Sequence, residues 1–223
     1  MSNTPLAEVF SYPVEDVPAL EGYIASLREE LSRSPRYAPL KGEIHLGDCF
    51  YRISEVDPNF HTCPNTSIHK NIFGFSRHDH FDNTLFEIGR KLARKSIPEL
   101  KDCETIQVKR TATVHYPANG GYLGWHTNAN DPGWRIYIVY VEKKGMSFFK
   151  YYDSEDDSVK ISHDPEGFSY RIFEVPKIGA MKHCVYTNVP RWSFGLRITK
   201  GEPGGFGPGE PVEIAPKNDL QRF

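Results

Sequence analysis

Apolar residues recur along this chain at two different spacings. Near the start, Leu20, Tyr23, Ile24, Leu27 and Leu31 stand three or four residues apart, which marks one face of an amphipathic helix. Asp16 is placed to cap that helix, Pro18 suits its first turn, and Ser34-Pro35 ends it. The same spacing returns at Leu85, Phe86, Ile88 and Leu92, so a second helix is expected over 81–95. Asp82 or Asn83 would cap it, and Lys91, Arg94 and Lys95 fall where the helix dipole favours cations. The stretch between them is irregular. Residues 43–46 and 49–53 could form short strands, and the tract around Pro58, Pro64 and Asn65 reads as loop. His78-Asp79-His80 reads as a polar loop just ahead of the second helix, with substrate contact as its functional alternative.

From Thr105 onward the period shortens to two. The runs 106–116, 134–141, 147–152, 170–175, 183–186 and 191–198 read as strands. Residues 134–141 are nearly all apolar or aromatic, so that strand should be buried on both faces, whereas the acidic run 153–157 reads as a solvated loop. Residues 1–15 and 201–223 read as extended, loosely held ends. Short strands following two helices predict a sandwich or barrel with a helical layer packed on it, a mainly β chain of the α+β class. One domain is expected over 1–223: a helical and irregular elaboration over 1–104, a strand core over 105–199, and a Gly/Pro-rich tail over 200–223.

Composition narrows the function classes. With 12 Tyr, 14 Phe, 18 Gly and 17 Pro, the chain is rich in strand and turn formers. A net charge of -2 gives no argument for a bulk nucleic-acid or membrane-surface partner. No apolar run approaches the ~18 residues of a membrane span. The N-terminus lacks the basic-then-apolar pattern of a signal peptide. Cys49, Cys63, Cys103 and Cys184 are scattered, which suits reduced thiols in a cytosolic protein and gives no zinc site.

Candidate chemistry concentrates in 113–128, TVHYPANGGYLGWHTN. A strand carrying Val114 and Tyr116 breaks at Pro117-Ala118-Asn119-Gly120-Gly121 and then delivers His126 and Asn128. Residues two apart on a strand face the same way, so His126 and Asn128 could share a pocket, and His183 would complete a facial set of metal ligands. Eight residues after His183, Arg191 and Ser193 occupy one face of a strand, continued by Gly195 and Arg197. The other face, Trp192, Phe194, Leu196 and Ile198, is apolar and belongs to a core. An arginine on the inner side of such a strand calls for an anionic partner. His115 and His163 read as ordinary partly buried histidines, Trp125 and Trp134 as core or pocket wall, and Arg135 and Lys150 as surface or rim.

Together these motifs resemble the 2-oxoglutarate/Fe(II)-dependent oxygenase superfamily, and in particular its small bacteriophage-encoded, prolyl-hydroxylase-like members. YPANGGYLGWHTN resembles the segment carrying the first histidine and the carboxylate, and PKIGAMKHCVYTNVPRWSFGLRI resembles the distal-histidine and arginine strands. The likeness covers about 105–199 and does not reach the first hundred residues. It implies a double-stranded β-helix (a cupin-like jelly roll) using Fe(II) and 2-oxoglutarate, in the cytoplasm, or the host cytoplasm if phage-encoded. His126, Asn128 and His183 would be metal ligands. Arg191 would grip the 2-oxoglutarate carboxylate, assisted by Ser193, with Tyr116 or Tyr122 adding a hydroxyl and Arg197 a second cation. The implied reaction hydroxylates a small molecule, an amino acid or peptide, or a nucleotide, and releases succinate and CO2.

Asn128 departs from that pattern, which has Asp or Glu there. Three readings stay open. Asn128 binds through its carbonyl oxygen; Asp131 swings in instead; or the site is degenerate and the chain is a non-catalytic jelly-roll binding protein.

Overall fold

The two-residue alternation of the second half is realised, in a computed structural model, as two antiparallel sheets laid face to face. The structure describes residues 8–33, 69–70, 73–74, 79–118, 121–126, 132–144, 147–153, 157–175 and 182–201. Their elements in chain order are β1 (Glu8–Ser11), α1 (Val17–Arg33), β2 (His69–Lys70), β3 (Phe73–Gly74), α2 (Asp79–Ser96), β4 (Ile106–Tyr116), β5 (Gly121–His126), β6 (Gly133–Val141), β7 (Ser147–Asp153), β8 (Ser158–His163), β9 (Gly167–Val175), β10 (His183–Thr187) and β11 (Arg191–Lys200). One sheet has the order β1-β9-β6-β11-β4-β3 and the other β2-β5-β10-β7-β8. From β4 to β7, and again from β8 to β11, successive strands alternate between the sheets. The chain therefore winds around a shared interior as a jelly roll, mainly β with two long helices, which is the predicted fold class.

Strand β11 shows how the two faces are used. Trp192, Phe194, Leu196 and Ile198 are fully buried in one cluster with Leu20, Tyr23, Ile24 and Leu27 of α1 and Leu85, Ile88 and Leu92 of α2. Tyr23 stacks on Phe194 with ring centroids 5.2 Å apart. This burial of the helices' apolar faces holds the helical layer on the sheet. Residues of opposite parity face the second sheet, where Tyr116, Phe149, Tyr151, Phe173, Val175 and Val185 form a separate cluster drawn from both sheets.

Both helices match their periodicity. However, α2 begins at Asp79, two residues before the expected start. Asp79 and His80 thus open the helix rather than precede it, while His78 lies outside the described residues. Asp82 is correspondingly inside the helix, buried beside Arg110 at 3.5 Å, so it is an ion-pair partner and not a cap. The N-terminal segment is also more ordered than its composition suggests: β1 pairs along Glu8–Ser11 with β9. The expected strands over 43–46 and 49–53 and the tail beyond 201 lie outside the described residues. No described helix is long and apolar enough to cross a membrane.

Two cations expected at the surface are buried instead. Arg135 is 1% exposed and donates to the Gly133 and Trp134 carbonyls at 3.4 Å. Lys150 is 4% exposed, with its ammonium 5.2 Å from the Phe148 ring centroid, and burial lowers its pKa. Arg135 thus follows the two-sided burial expected of its strand, and Lys150 lies in β7, which is buried along nearly its whole length.

Candidate functional site

The connection from β10 to β11 places two candidate positions, His183 and Arg191, on facing sheets. Thr187 makes the corner: its hydroxyl donates to the Val189 carbonyl at 2.7 Å, and the Val189 N–H donates to the Thr187 hydroxyl oxygen at 3.2 Å. After Pro190 the chain enters the other sheet at Arg191, whose Cα partners are Tyr116 on β4 and Val141 on β6.

Arg191 is completely buried, and its charge is only partly met by protein. Its Nε donates to Asp164 Oδ2 at 3.0 Å. Its two terminal nitrogens, Nη1 and Nη2, are buried and find no hydrogen-bond acceptor in the structure's described residues. The guanidinium carbon lies 5.0 Å from the Tyr116 ring centroid. Burial pushes the Tyr116 phenol up to about 12 against the pull of Arg191, so it stays a neutral hydroxyl at physiological pH. A buried guanidinium with two unsatisfied donors is costly on its own. It is matched by a ligand that brings two coplanar acceptor oxygens, and a carboxylate has that geometry.

Close approach of β5 fixes Tyr116. A Cβ on Gly121 would stand 2.7 Å from Tyr116 Cβ and 3.3 Å from Thr187 Cγ2. Gly121→Ala should therefore displace Tyr116 and destabilise the fold by roughly 1–3 kcal/mol, as overpacking does. Chemical denaturation checks this; an unchanged midpoint would show that the strands separate freely.

Asp164 and Arg171 were not singled out by the sequence, yet they complete this end of the interior. Asp164 sits in the β8–β9 turn, and its backbone N–H donates to the Ser147 carbonyl at 2.9 Å. Its Oδ2 also accepts from Ser147 Oγ at 2.5 Å, and its Oδ1 accepts from Arg171 Nη1 at 2.5 Å. Arg171 is fully engaged: Nε donates to Ser162 Oγ at 3.1 Å and Nη2 to the Ser162 carbonyl at 2.9 Å. Burial alone would raise the pKa of Asp164, but Arg171, Arg191 and the Ser147 hydroxyl hold it well below the usual carboxylate range. The signal available in the sequence was an arginine inside an otherwise buried strand, which requires an acid nearby.

The second candidate position is His183. It is 1% exposed and stacks on Phe149 with ring centroids 5.0 Å apart, and Phe173 of the opposite sheet lies at 6.0 Å. Its ring therefore sits in the apolar space between the sheets. In the β10–β5 ladder, His183 is the Cα partner of His126, and a register shift separates that pair from Val185 and Leu123. The shift decides which β5 residue stands opposite His183 in the ladder: without it, that place would fall to Trp125. Asn128 and Asp131 lie outside the described residues. Among the described residues, no three His, Cys, Asp or Glu side chains form a metal-binding group, a set that does not reach residue 128.

The remaining predicted positions divide. Ser193 is buried one turn of the pleat from Arg191, between Val114 and Val139. Arg197 donates through Nε to the Pro132 carbonyl at 3.0 Å and is the Cα partner of Arg135. Tyr122 does not join Tyr116: it packs with Phe148, Cys184 and Tyr186 in another cluster, on the far side of its sheet. His115 stacks on Trp192 at 4.1 Å, and burial lowers its pKa to about 4.

With this geometry defined, comparison with solved structures is informative. A prolyl hydroxylase from Trichoplax adhaerens, solved in complex with a hypoxia inducible factor oxygen degradation domain peptide fragment, matches with a TM-score of 0.50 at 13% identity over 86% of this chain and 83% of that chain. The two chains share a fold. An oxidoreductase of the 2OG-Fe(II) oxygenase family from Burkholderia pseudomallei matches at a TM-score of 0.42 and 10% identity, over 68% of this chain and 80% of that chain. At the level of sequence, no family model and no curated protein matches.

Proposed function

We propose that this protein is an Fe(II)/2-oxoglutarate-dependent oxygenase that hydroxylates an amino-acid, peptide, nucleotide-type or other small substrate. The observation that carries the reading is Arg191, held by its Nε in a dry interior with both terminal nitrogens unsatisfied beside the Tyr116 ring. A dicarboxylate cosubstrate supplies what that guanidinium lacks. The fold shared with a prolyl hydroxylase supports the reaction class. His183, and His126 opposite it in register, are the residues that would hold the metal, with residue 128 as third ligand. The bound metal and cosubstrate would supply the oxidising chemistry. The chain's own part is to exclude water through Phe149, Phe173 and Val185, to anchor the cosubstrate at Arg191, and to present His183 from a rigid strand.

Anaerobic titration with Fe(II) and 2-oxoglutarate tests this. Folded protein should develop the weak visible absorption of the chelate and, in air, release succinate. Asn128→Asp should tighten metal binding, since a carboxylate replaces a neutral amide oxygen. Protein that stays folded yet shows no band and no succinate with candidate substrates overturns the proposal in favour of a binding protein on the same fold.

A further inference from the structure

Three charged side chains buried between the sheets do not balance. Arg171 and Arg191 share one carboxylate, Asp164, and all three side chains are buried. The two arginines are used differently: every nitrogen of Arg171 is bonded to Asp164 or Ser162, whereas Arg191 spends only Nε. Asp164 itself is anchored from two sides, through its backbone N–H to Ser147 and through Oδ2 to the Ser147 hydroxyl. A lone Asp–Arg pair would be neutral and would attract an anion weakly. A second arginine on the same carboxylate leaves one unit of positive charge in a low-dielectric space, where charge acts strongly.

We propose that Asp164 and Arg171 are positioning residues of the anion site: Asp164 fixes Arg191 by its Nε so that both terminal nitrogens meet an incoming carboxylate, and Arg171 keeps Asp164 from cancelling the charge of Arg191. This rests on the oxygenase reading above and deepens it, because it gives the cosubstrate end of the interior a preference for a singly charged, planar, two-oxygen group. Neither residue needs to touch the ligand.

The test is a charge series at Arg171, read as 2-oxoglutarate affinity by calorimetry on the full chain, with metal affinity and melting temperature measured in parallel. Arg171→Met and Arg171→Gln both remove the charge, and Gln retains hydrogen-bond donors. Both should weaken 2-oxoglutarate binding by roughly tenfold, the scale of one charge-assisted contact, while metal affinity stays the same. Arg171→Lys, which keeps the charge, should retain more affinity than either. Because Met and Gln fill the site differently, one folded neutral variant is enough to decide. A folded neutral variant that binds 2-oxoglutarate as tightly as the parent overturns the proposal, as does a Lys variant no better than the neutral ones. If the parent protein itself binds no 2-oxoglutarate, the oxygenase reading fails and this inference with it. A parent that binds alongside neutral variants that also bind would overturn this inference alone.

Discussion

Arg191→Met is expected to reduce 2-oxoglutarate affinity by about 100-fold without lowering the stability of the protein, the loss being that of two charge-assisted hydrogen bonds. The two effects have separate causes. Arg191 brings two buried, unsatisfied donors into the interior, and each such group destabilises a fold by about 1–3 kcal/mol. Its removal leaves Asp164 paired one-to-one with Arg171 and still bonded to Ser147, so no buried charge is stranded. Methionine fills the vacated volume with a flexible apolar chain. The variant should therefore unfold at the same or higher denaturant concentration, even as the proposed cosubstrate anchor is lost. This is the trade between stability and function expected where a site is held in an unsatisfied state. Denaturant unfolding and calorimetric titration on the same preparation decide it. A marked loss of stability with affinity intact would show that Arg191 is structural and that the ligand binds elsewhere.

How far these properties could be read from the sequence depends on the range of the forces behind them. Strand β11 was fully legible, because apolar Trp192, Phe194, Leu196 and Ile198 alternate with Arg191, Ser193 and Arg197 and only one arrangement buries the former under the helices. Both helices were legible for the same reason. The start of α2 was not, because Asp82 and Asn83 are good caps by composition, while the ion pair with Arg110 that draws Asp82 inside is a tertiary contact. Strand β1 was likewise hidden, since four residues carry little pattern and only pairing with β9 makes them a strand.

The candidate site divides along the same line. Arg191 stands out in the sequence because it alternates with a purely apolar face, whereas His183 stands out only together with His126 and Arg191-x-Ser193. The choice between Tyr116 and Tyr122 could not be made, since the turn between them hides which face each strand presents. The register shift that brings His126 opposite His183 is equally silent in sequence. Asp164 was the largest omission. It stands in Asp164-Pro165-Glu166-Gly167, a stretch whose composition already reads as a turn, so a local explanation concealed a role that arises only when β7, β9 and β11 converge on it.

Asp164→Asn should act on stability in the opposite sense to Arg191→Met, with a loss of about 3–5 kcal/mol from breaking a buried ionic network. That is a large share of the roughly 5–15 kcal/mol that holds a domain folded. The amide would leave Arg171 and Arg191 buried together with no anion between them, and its NH2 group would face at least one of them. The pH dependence supplies an independent check. The folded-state pKa of Asp164 is depressed, so its contribution is complete above the ordinary aspartate value of about 4 and is lost as pH falls below that toward the folded value. The parent should therefore lose stability steeply below about pH 4, and Asp164→Asn should lose less over the same window because it has no carboxylate there to protonate. The gap between the two proteins is expected to be widest near neutrality and to narrow in acid, as measured by denaturant unfolding at a series of pH values. A gap that stays constant from neutrality into acid would mean that the cluster is held by shape and hydrogen bonding alone, and that the charge of Asp164 contributes nothing to joining the two sheets.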